Sequence, residues 1–268
     1  MTRFLIVPQW QGSPAARAML LTDGATAIAG DLPSRDTTVL EVPLEAGEAL
    51  GTGVRRLSSL NRVREIVSDH LPRRDEHVVV IGGDCSVSVS ALSAVDTSDL
   101  AVLWFDAHPD LHDPGTSPSG AFSGMALRAV LGEGEPQLAL SPGVPSERVV
   151  LVGARSIDDG ERTPLSRVAS ISVDDANDPD AVGAAVRATG ASRLWVHIDV
   201  DVIDPAELTG VSDAAPFGMK TAAVVAAVKR VRSEFPLAGA TIAGFAPRSP
   251  ADAVQDMGAI LRLIGAVA

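Results

Sequence analysis

Leu103-Trp104-Phe105-Asp106-Ala107-His108-Pro109-Asp110-Leu111-His112-Asp113 joins an apolar run to a dense set of acids and imidazoles. The run Ala101–Phe105 has the unbroken hydrophobicity of a parallel strand buried on both faces. Side chains at alternate positions of an extended chain point the same way, so Asp106, His108 and Asp110 can converge. A second run, Leu194–Ile198, leads into Asp199 and Asp201 and continues Val-Ile-Asp-Pro. Two strand ends carrying Asp-x-His-x-Asp and Asp-x-Asp bring together acids that would repel one another, and one or two divalent cations would resolve the repulsion.

Working outward, further apolar runs read as strands over 4–7, 38–42, 78–81, 149–152, 170–173 and 240–245. Helical spacing marks 54–70, 221–235 and 251–268. Alternating strands and helices predict an α/β fold, a mostly parallel sheet of about eight strands covered on both faces. No repeat or long linker interrupts the pattern, so residues 1–268 are read as a single domain. Segments 113–120 and 133–146, rich in Gly, Pro and Ser, are read as loops, and the basic stretch 71–77 as surface. Sites in such sheets form at the carboxyl ends of strands. Every charged motif falls there: 82–86, 106–113, 158–161 and 199–204.

Composition narrows the partners. The 268 residues carry 22 Lys and Arg against 34 Asp and Glu, a net charge of −12, which argues against nucleic acid or an anionic membrane as partner. Hydrophobic residues make up 46%, enough for a folded core. The single cysteine excludes an internal disulfide and fits a reducing, cytoplasmic setting. The N-terminal run is cut by Pro8 and reads as a strand, not a signal peptide, and no run is long enough to span a membrane. Gly82-Gly83 lacks the Lys-Ser/Thr of a phosphate loop, so nucleotide binding is rejected.

Gly82-Gly83-Asp84-Cys85-Ser86, Asp106-Ala107-His108-Pro109-Asp110 and Asp199-Val200-Asp201-Val202-Ile203-Asp204-Pro205, in this order, resemble the ureohydrolase superfamily of arginase, agmatinase and formimidoylglutamase. The resemblance covers nearly the whole chain. It implies a three-layer α/β sandwich, a pair of Mn²⁺ ions, hydrolysis of a C–N bond in a linear guanidine or amidine, and a homo-oligomer. Matched by position, it implies that Asp106 and Asp199 bridge the ions, that Asp110 serves one, and that His108 and Asp201 serve the other. Asp201 would also help orient the attacking hydroxide. His112 and Ser119 fall where a substrate carboxylate is held, and Asp158, supported by Glu161, where an α-amino group is held. Read alone, Asp158-Asp159-Gly160 is a solvated turn capping a helix.

The chain also departs from the family. Cys85 replaces a metal-binding histidine. It is either a thiolate ligand, which would favour Zn²⁺ or Fe²⁺, or a small buried residue. Ser123 stands where a histidine shuttles protons, and a hydroxyl cannot buffer one near neutral pH. Pro247 stands where a glutamate pairs with the guanidinium. His197, two residues before Asp199, is a further candidate as ligand, catalytic base or support for a carboxylate. Trp104 and Trp195 are read as core. Two functions fit these residues: a metal-dependent amidinohydrolase that is not a standard arginase, or a degenerate relative that acts by binding or assembly.

Overall fold

A computed structural model describes residues 2–71 and 77–268. Residues 72–76, most of the basic stretch read as surface, lie outside the described residues. Among the described residues, eight strands form one sheet: β1 (Arg3–Ile6), β2 (Thr37–Val39), β3 (Val78–Ile81), β4 (Leu100–Phe105), β5 (Val149–Val152), β6 (Ala169–Ile171), β7 (Arg193–Asp199) and β8 (Leu237–Ala243). Their order is β2-β1-β3-β8-β7-β4-β5-β6, and every pairing is parallel. Every residue of β3, β4 and β5 is buried, so these strands are apolar throughout and not alternating.

The two faces of the sheet have separate cores. Leu103, Phe105, Val196, Ile198 and Ile242 face α1 (Leu20–Gly30), α7 (Pro179–Ala188), α8 (Thr221–Arg232) and α9 (Pro250–Val267). Val102, Trp104, Leu151 and Trp195 face α2 (Leu57–His70), α3 (Ser86–Leu92) and α4 (Ala126–Val130). Two shorter helices, α5 (Arg162–Leu165) and α6 (Val173–Ala176), flank β6. With both faces covered, the strand ends are where polar side chains can cluster without breaking a core.

The expected elements hold with shifted edges. The sixth strand stops at Ile171 because Ser172 caps α6, its hydroxyl accepting from Asp175 N at 3.1 Å. β8 stops at Ala243 because Gly244 turns to φ +84°. α1 and α7 carry little helical signature in the sequence. Their buried faces consist of Leu21, Gly24, Ala25 and Ile28, and of Val182, Gly183 and Val186, which give small residues and few apolar landmarks. Trp104 and Trp195 are both fully buried, as expected.

Trp195 is accommodated by a gap in the neighbouring strand. It pairs with Gly239, and a Cβ there would lie 2.4 Å from the indole. Its Nε1 donates to Thr241 Oγ1 at 3.2 Å, so the ring has no free alternative placement. Gly239→Ala should therefore overpack the core and lower the unfolding free energy by about 1–3 kcal/mol. Urea denaturation would show it, and an unchanged midpoint would mean that the indole has room to move.

Candidate metal and substrate site

β4 and β7 are neighbours in register, with Phe105 opposite Ile198, so the next residues, Asp106 and Asp199, emerge side by side. Both strand ends use the same local device. The Asp106 carboxylate accepts from His108 N at 2.7 Å, and the Asp199 carboxylate from Asp201 N at 2.9 Å. Each aspartate thus turns its own backbone and brings the residue two further on back toward itself. Ala107 N donates to Asp201 Oδ1 at 3.0 Å and joins the two turns. Gly244 permits the close approach: a Cβ there would lie 2.1 Å from Asp199 Oδ1.

Asp106, His108, Asp110, Asp199 and Asp201 line one cavity together with Cys85. Strand alternation is not what brings them together, because β4 ends at Phe105. His108 is carried by the turn, its Nδ1 3.0 Å from Asp201 Oδ2 and 3.5 Å from Asp106 Oδ1. Asp110 itself is left-handed, φ +54°, which folds it back, and its Oδ2 is buried with no hydrogen-bond partner among the described residues. Cys85 ends the loop after β3, its thiol donating to Asp199 Oδ2 at 2.9 Å and lying 3.7 Å from Asp106 Oδ2.

This density of acid has electrostatic consequences. Burial, then neighbouring carboxylates, pushes Asp199 up to about 7 and Asp201 up to about 6. Burial and Asp106 drive Asp110 well above the usual carboxylate range. Burial opposes charging of His108, but the carboxylates of Asp106 and Asp201 outweigh it and push the imidazole up to about 12. Burial and the surrounding acids also push the Cys85 thiol up. One imidazolium does not balance four carboxylates, so the cluster is short of positive charge. The orphaned Asp110 oxygen and a donor set dominated by carboxylates fit hard divalent cations.

His197 is completely buried and does not line the cavity, because it sits one strand repeat below Asp199. A role as base toward a substrate has no support in this position. Its ring stacks on Trp104, centroids 3.7 Å apart, and its Nδ1 meets Ser88 Oγ at 2.7 Å. Trp104 is more than core, since its Nε1 donates to Asp106 Oδ2 at 3.1 Å.

The cavity, about 480 Å³, opens outward from this cluster. Asp158, Glu161, His112, Ser119 and Ser123 all reach it. Glu161 holds the wall together, accepting from Leu111 N at 3.0 Å and Asp158 N at 3.1 Å. His112 has both nitrogens engaged, Nε2 with Asp158 Oδ2 at 3.1 Å and Nδ1 with Thr116 Oγ1 at 3.2 Å. Asp158 also precedes a short 3₁₀ turn, Asp159–Glu161, so its structural and site placements coexist.

Parts of the cavity wall lie outside the sequence motifs, notably Ser13–Ala15 and Asp213. Asp84 is buried and accepts from Gly12 N at 2.9 Å and Ser86 N at 3.1 Å, which fastens residues 9–12 against the metal-motif loop. Ser13, Pro14 and Ala15 therefore form part of the wall, far from any motif. Asp213 also lines the cavity, its carboxylate 3.6 Å from His108 Nε2. Pro247 is buried but lies off the cavity wall.

Comparisons with known proteins agree with this architecture. Residues 13–262 match the Arginase family. The arginase of Bacillus caldovelox is 31% identical over 196 residues, covering 68% of this chain and 64% of that enzyme. The match thus spans less than two thirds of that relative's length. The N(omega)-hydroxy-L-arginine amidinohydrolase of Streptomyces lavendulae is 32% identical over 209 residues, 77% of this chain and 74% of that enzyme. Among solved structures, Entamoeba histolytica arginase in complex with L-ornithine superposes with a TM-score of 0.84 over 98% of both chains at 21% identity, a likeness of fold. With its all-parallel sheet, paired acidic strand ends and a family match over nearly its whole length, this chain belongs to the arginase family, within the ureohydrolases.

Proposed function

We propose that this protein is a metal-dependent amidinohydrolase acting on the C–N bond of an amino acid that bears an N-substituted guanidine, and that it disfavours free arginine. The observation that carries the reading is the convergence of Asp106, His108, Asp110, Asp199 and Asp201 on one cavity wall. Asp106 and Asp199 would be shared between two ions, Asp110 would serve one, and His108 and Asp201 the other. When bound, Mn²⁺ or a similar divalent cation supplies Lewis acidity and a more acidic water. The chain's own residues do the rest. Asp201, held by Ala107 N and His108, orients the nucleophile. Asp158, oriented by His112 and Glu161, receives an α-ammonium, and Ser119 remains for the carboxylate. A homo-oligomer in a reducing cytoplasm belongs to the same proposal. No described helix is long and apolar enough to cross a membrane.

Selectivity depends on where carboxylates stand. A guanidinium entering a cavity lined by imperfectly paired groups needs a counter-charge. Pro247 provides none, and Asp213, on the cavity wall, has a side chain 73% exposed, so its attraction is weakened by water. An N-hydroxyguanidine is less basic and loses less solvation on entering. The similarity to the hydroxy-arginine amidinohydrolase of Streptomyces lavendulae supports the same choice. With Mn²⁺ added, hydroxy-arginine should give a higher kcat/KM than arginine, agmatine, guanidinobutyrate or formimidoylglutamate, read as released amine. Arginine ranking first would overturn this selectivity. Asp213→Asn should lower kcat/KM for arginine about fivefold, the worth of a ~1 kcal/mol exposed ion pair, and that for hydroxy-arginine less.

The acid cluster also predicts how the metal-free protein responds to pH. Asp199 and Asp201 have raised values in the folded state, near 7 and 6. Between the ordinary carboxylate range and those values the folded state binds more protons, so stability falls as pH rises. His108, raised to about 12, contributes stability that is complete below its ordinary value of 6.5 and fades as pH rises toward 12. Both effects have the same sign. Chelator-treated protein should lose Tm steadily from pH 5 to 9, and Mn²⁺ should restore it most at the high end. A metal-free Tm that climbs over this range would contradict the assignment.

A further inference from the structure

One nitrogen beneath the cluster lacks a partner. His197 Nε2 is fully buried and has no hydrogen bond among the described residues. The ring cannot turn to find one, because Ser88 Oγ holds Nδ1 at 2.7 Å and Trp104 stacks on its face. Where Nδ1 donates to Ser88, Nε2 presents a bare lone pair to a dry interior, which is costly for a polar atom. The lone pair faces Asp106 Oδ2 at 4.0 Å, and a ring nitrogen of His197, a carboxylate oxygen of Asp106 and the Cys85 sulfur lie within 4.8 Å of one another. Ligands around one tetrahedral ion, at the bond lengths of Zn–S and Zn–N, stand roughly 3.3–3.8 Å apart. The Cys85–Asp106 separation of 3.7 Å falls in that range, and the His197–Asp106 separation of 4.0 Å lies just outside it.

We propose that Cys85, His197 and Asp106 form a sulfur- and nitrogen-bearing metal position that selects Zn²⁺ over Mn²⁺. It makes the two halves of the cluster chemically unequal. His108 and Asp201 lie on the oxygen-rich side suited to Mn²⁺, while thiolate and imidazole on the other side suit a softer ion. Ser88, one turn beyond Cys85 on α3, is the residue that positions the imidazole, because its hydrogen bond to Nδ1 leaves Nε2 as the nitrogen turned toward Asp106. Cys85 and Asp106 line the inner end of the cavity and His197 lies beneath them, so an ion held there would be reached from the cavity and enclosed by the protein on its far side.

Cobalt tests this with no substrate present, so the result is separate from that of the activity assay. Co²⁺ added to the metal-free full-length protein should give a thiolate-to-cobalt charge-transfer band in the near ultraviolet, and Zn²⁺, but not an equal amount of Mn²⁺, should displace it. Cys85→Ser should abolish the band. Ser88→Ala should keep the band but weaken Co²⁺ and Zn²⁺ binding by about 10–100-fold, the usual cost of disturbing a ligand's support, and His197→Gln, which removes a ligand, should keep the band and weaken binding at least as much. Circular dichroism checks that each variant is folded, and Ser88→Ala removes only one hydroxyl. Absence of the band in the parent protein would overturn the proposal. So would unchanged Co²⁺ and Zn²⁺ affinity in both Ser88→Ala and folded His197→Gln.

Discussion

The crowding of buried carboxylates at two adjacent strand ends is the constraint on which the rest of the structure depends. Asp106, Asp110, Asp199 and Asp201 are all at most 6% exposed, and together they raise one another's affinity for protons. An interior without compensating charge cannot hold four ionised carboxylates. The fold addresses the local part of this cost through the backbone. His108 N, Ala107 N and Asp201 N donate to the acids, and a parallel sheet with both faces covered frees such amides only at its strand ends. The remaining cost falls on His108, whose imidazole is driven toward the charged form by Asp106 and Asp201. A proton there does part of what a divalent cation would do more completely.

The exchange of imidazole and sulfur in this chain is better understood as a redistribution than as a loss. Cys85 takes a position where the family pattern has histidine, and a histidine stands close by at 197, on β7. Trp104 and His197 are opposite each other in β4 and β7, so their stacking is a cross-strand pair that holds the imidazole flat beneath the acids. The same indole donates to Asp106. One aromatic residue therefore fixes the height of both a carboxylate and an imidazole. This places Trp104 among the residues that set the donor geometry, even though its sequence context marks it as core.

Much of this is readable from residues alone because it rests on short-range rules. Unbroken apolar runs locate buried parallel strands, and Asp-x-His-x-Asp and Asp-x-Asp after two such runs locate the site. Alternation alone predicts the convergence of the acids for an incomplete reason, since Asp110 reaches the cluster by a left-handed turn that no residue pattern announces at a non-glycine position. Burial of His197 below the cavity depends on where β7 ends, which sequence places only to within a residue or two. Asp213 and Ser13–Ala15 reach the cavity through loops whose paths are set by tertiary bonds such as Gly12 N to Asp84. No local pattern encodes those paths.

The segment after β8, where the family resemblance implies a carboxylate and this chain has Pro247, bears on more than charge. Phe245–Pro247 runs against α1, where a Cβ on Gly24 would lie 2.0 Å from Phe245 O and 3.0 Å from Pro247 Cδ. On its other side Ala246 N donates to Gly210 O at 2.8 Å, and Val211 bridges to Phe245. Asp256 on α9 reinforces the same loop, accepting from Gly210 N at 2.7 Å. Arg155 ties down the far end of that loop, donating to the carbonyls of Asp201 and Ala215 at 2.8 Å each. The loop so anchored on both sides carries Asp213. A strand exit that offers no carboxylate of its own instead braces a loop that presents one, farther from the buried acids and nearer to water. Under the proposed function, a counter-charge placed that far out would hold a fully ionised guanidinium weakly and could still meet a neutral or hydroxylated head through a hydrogen bond. The proposed preference for a less basic substrate thus rests on where the chain can place an acid beside a cluster already crowded with them.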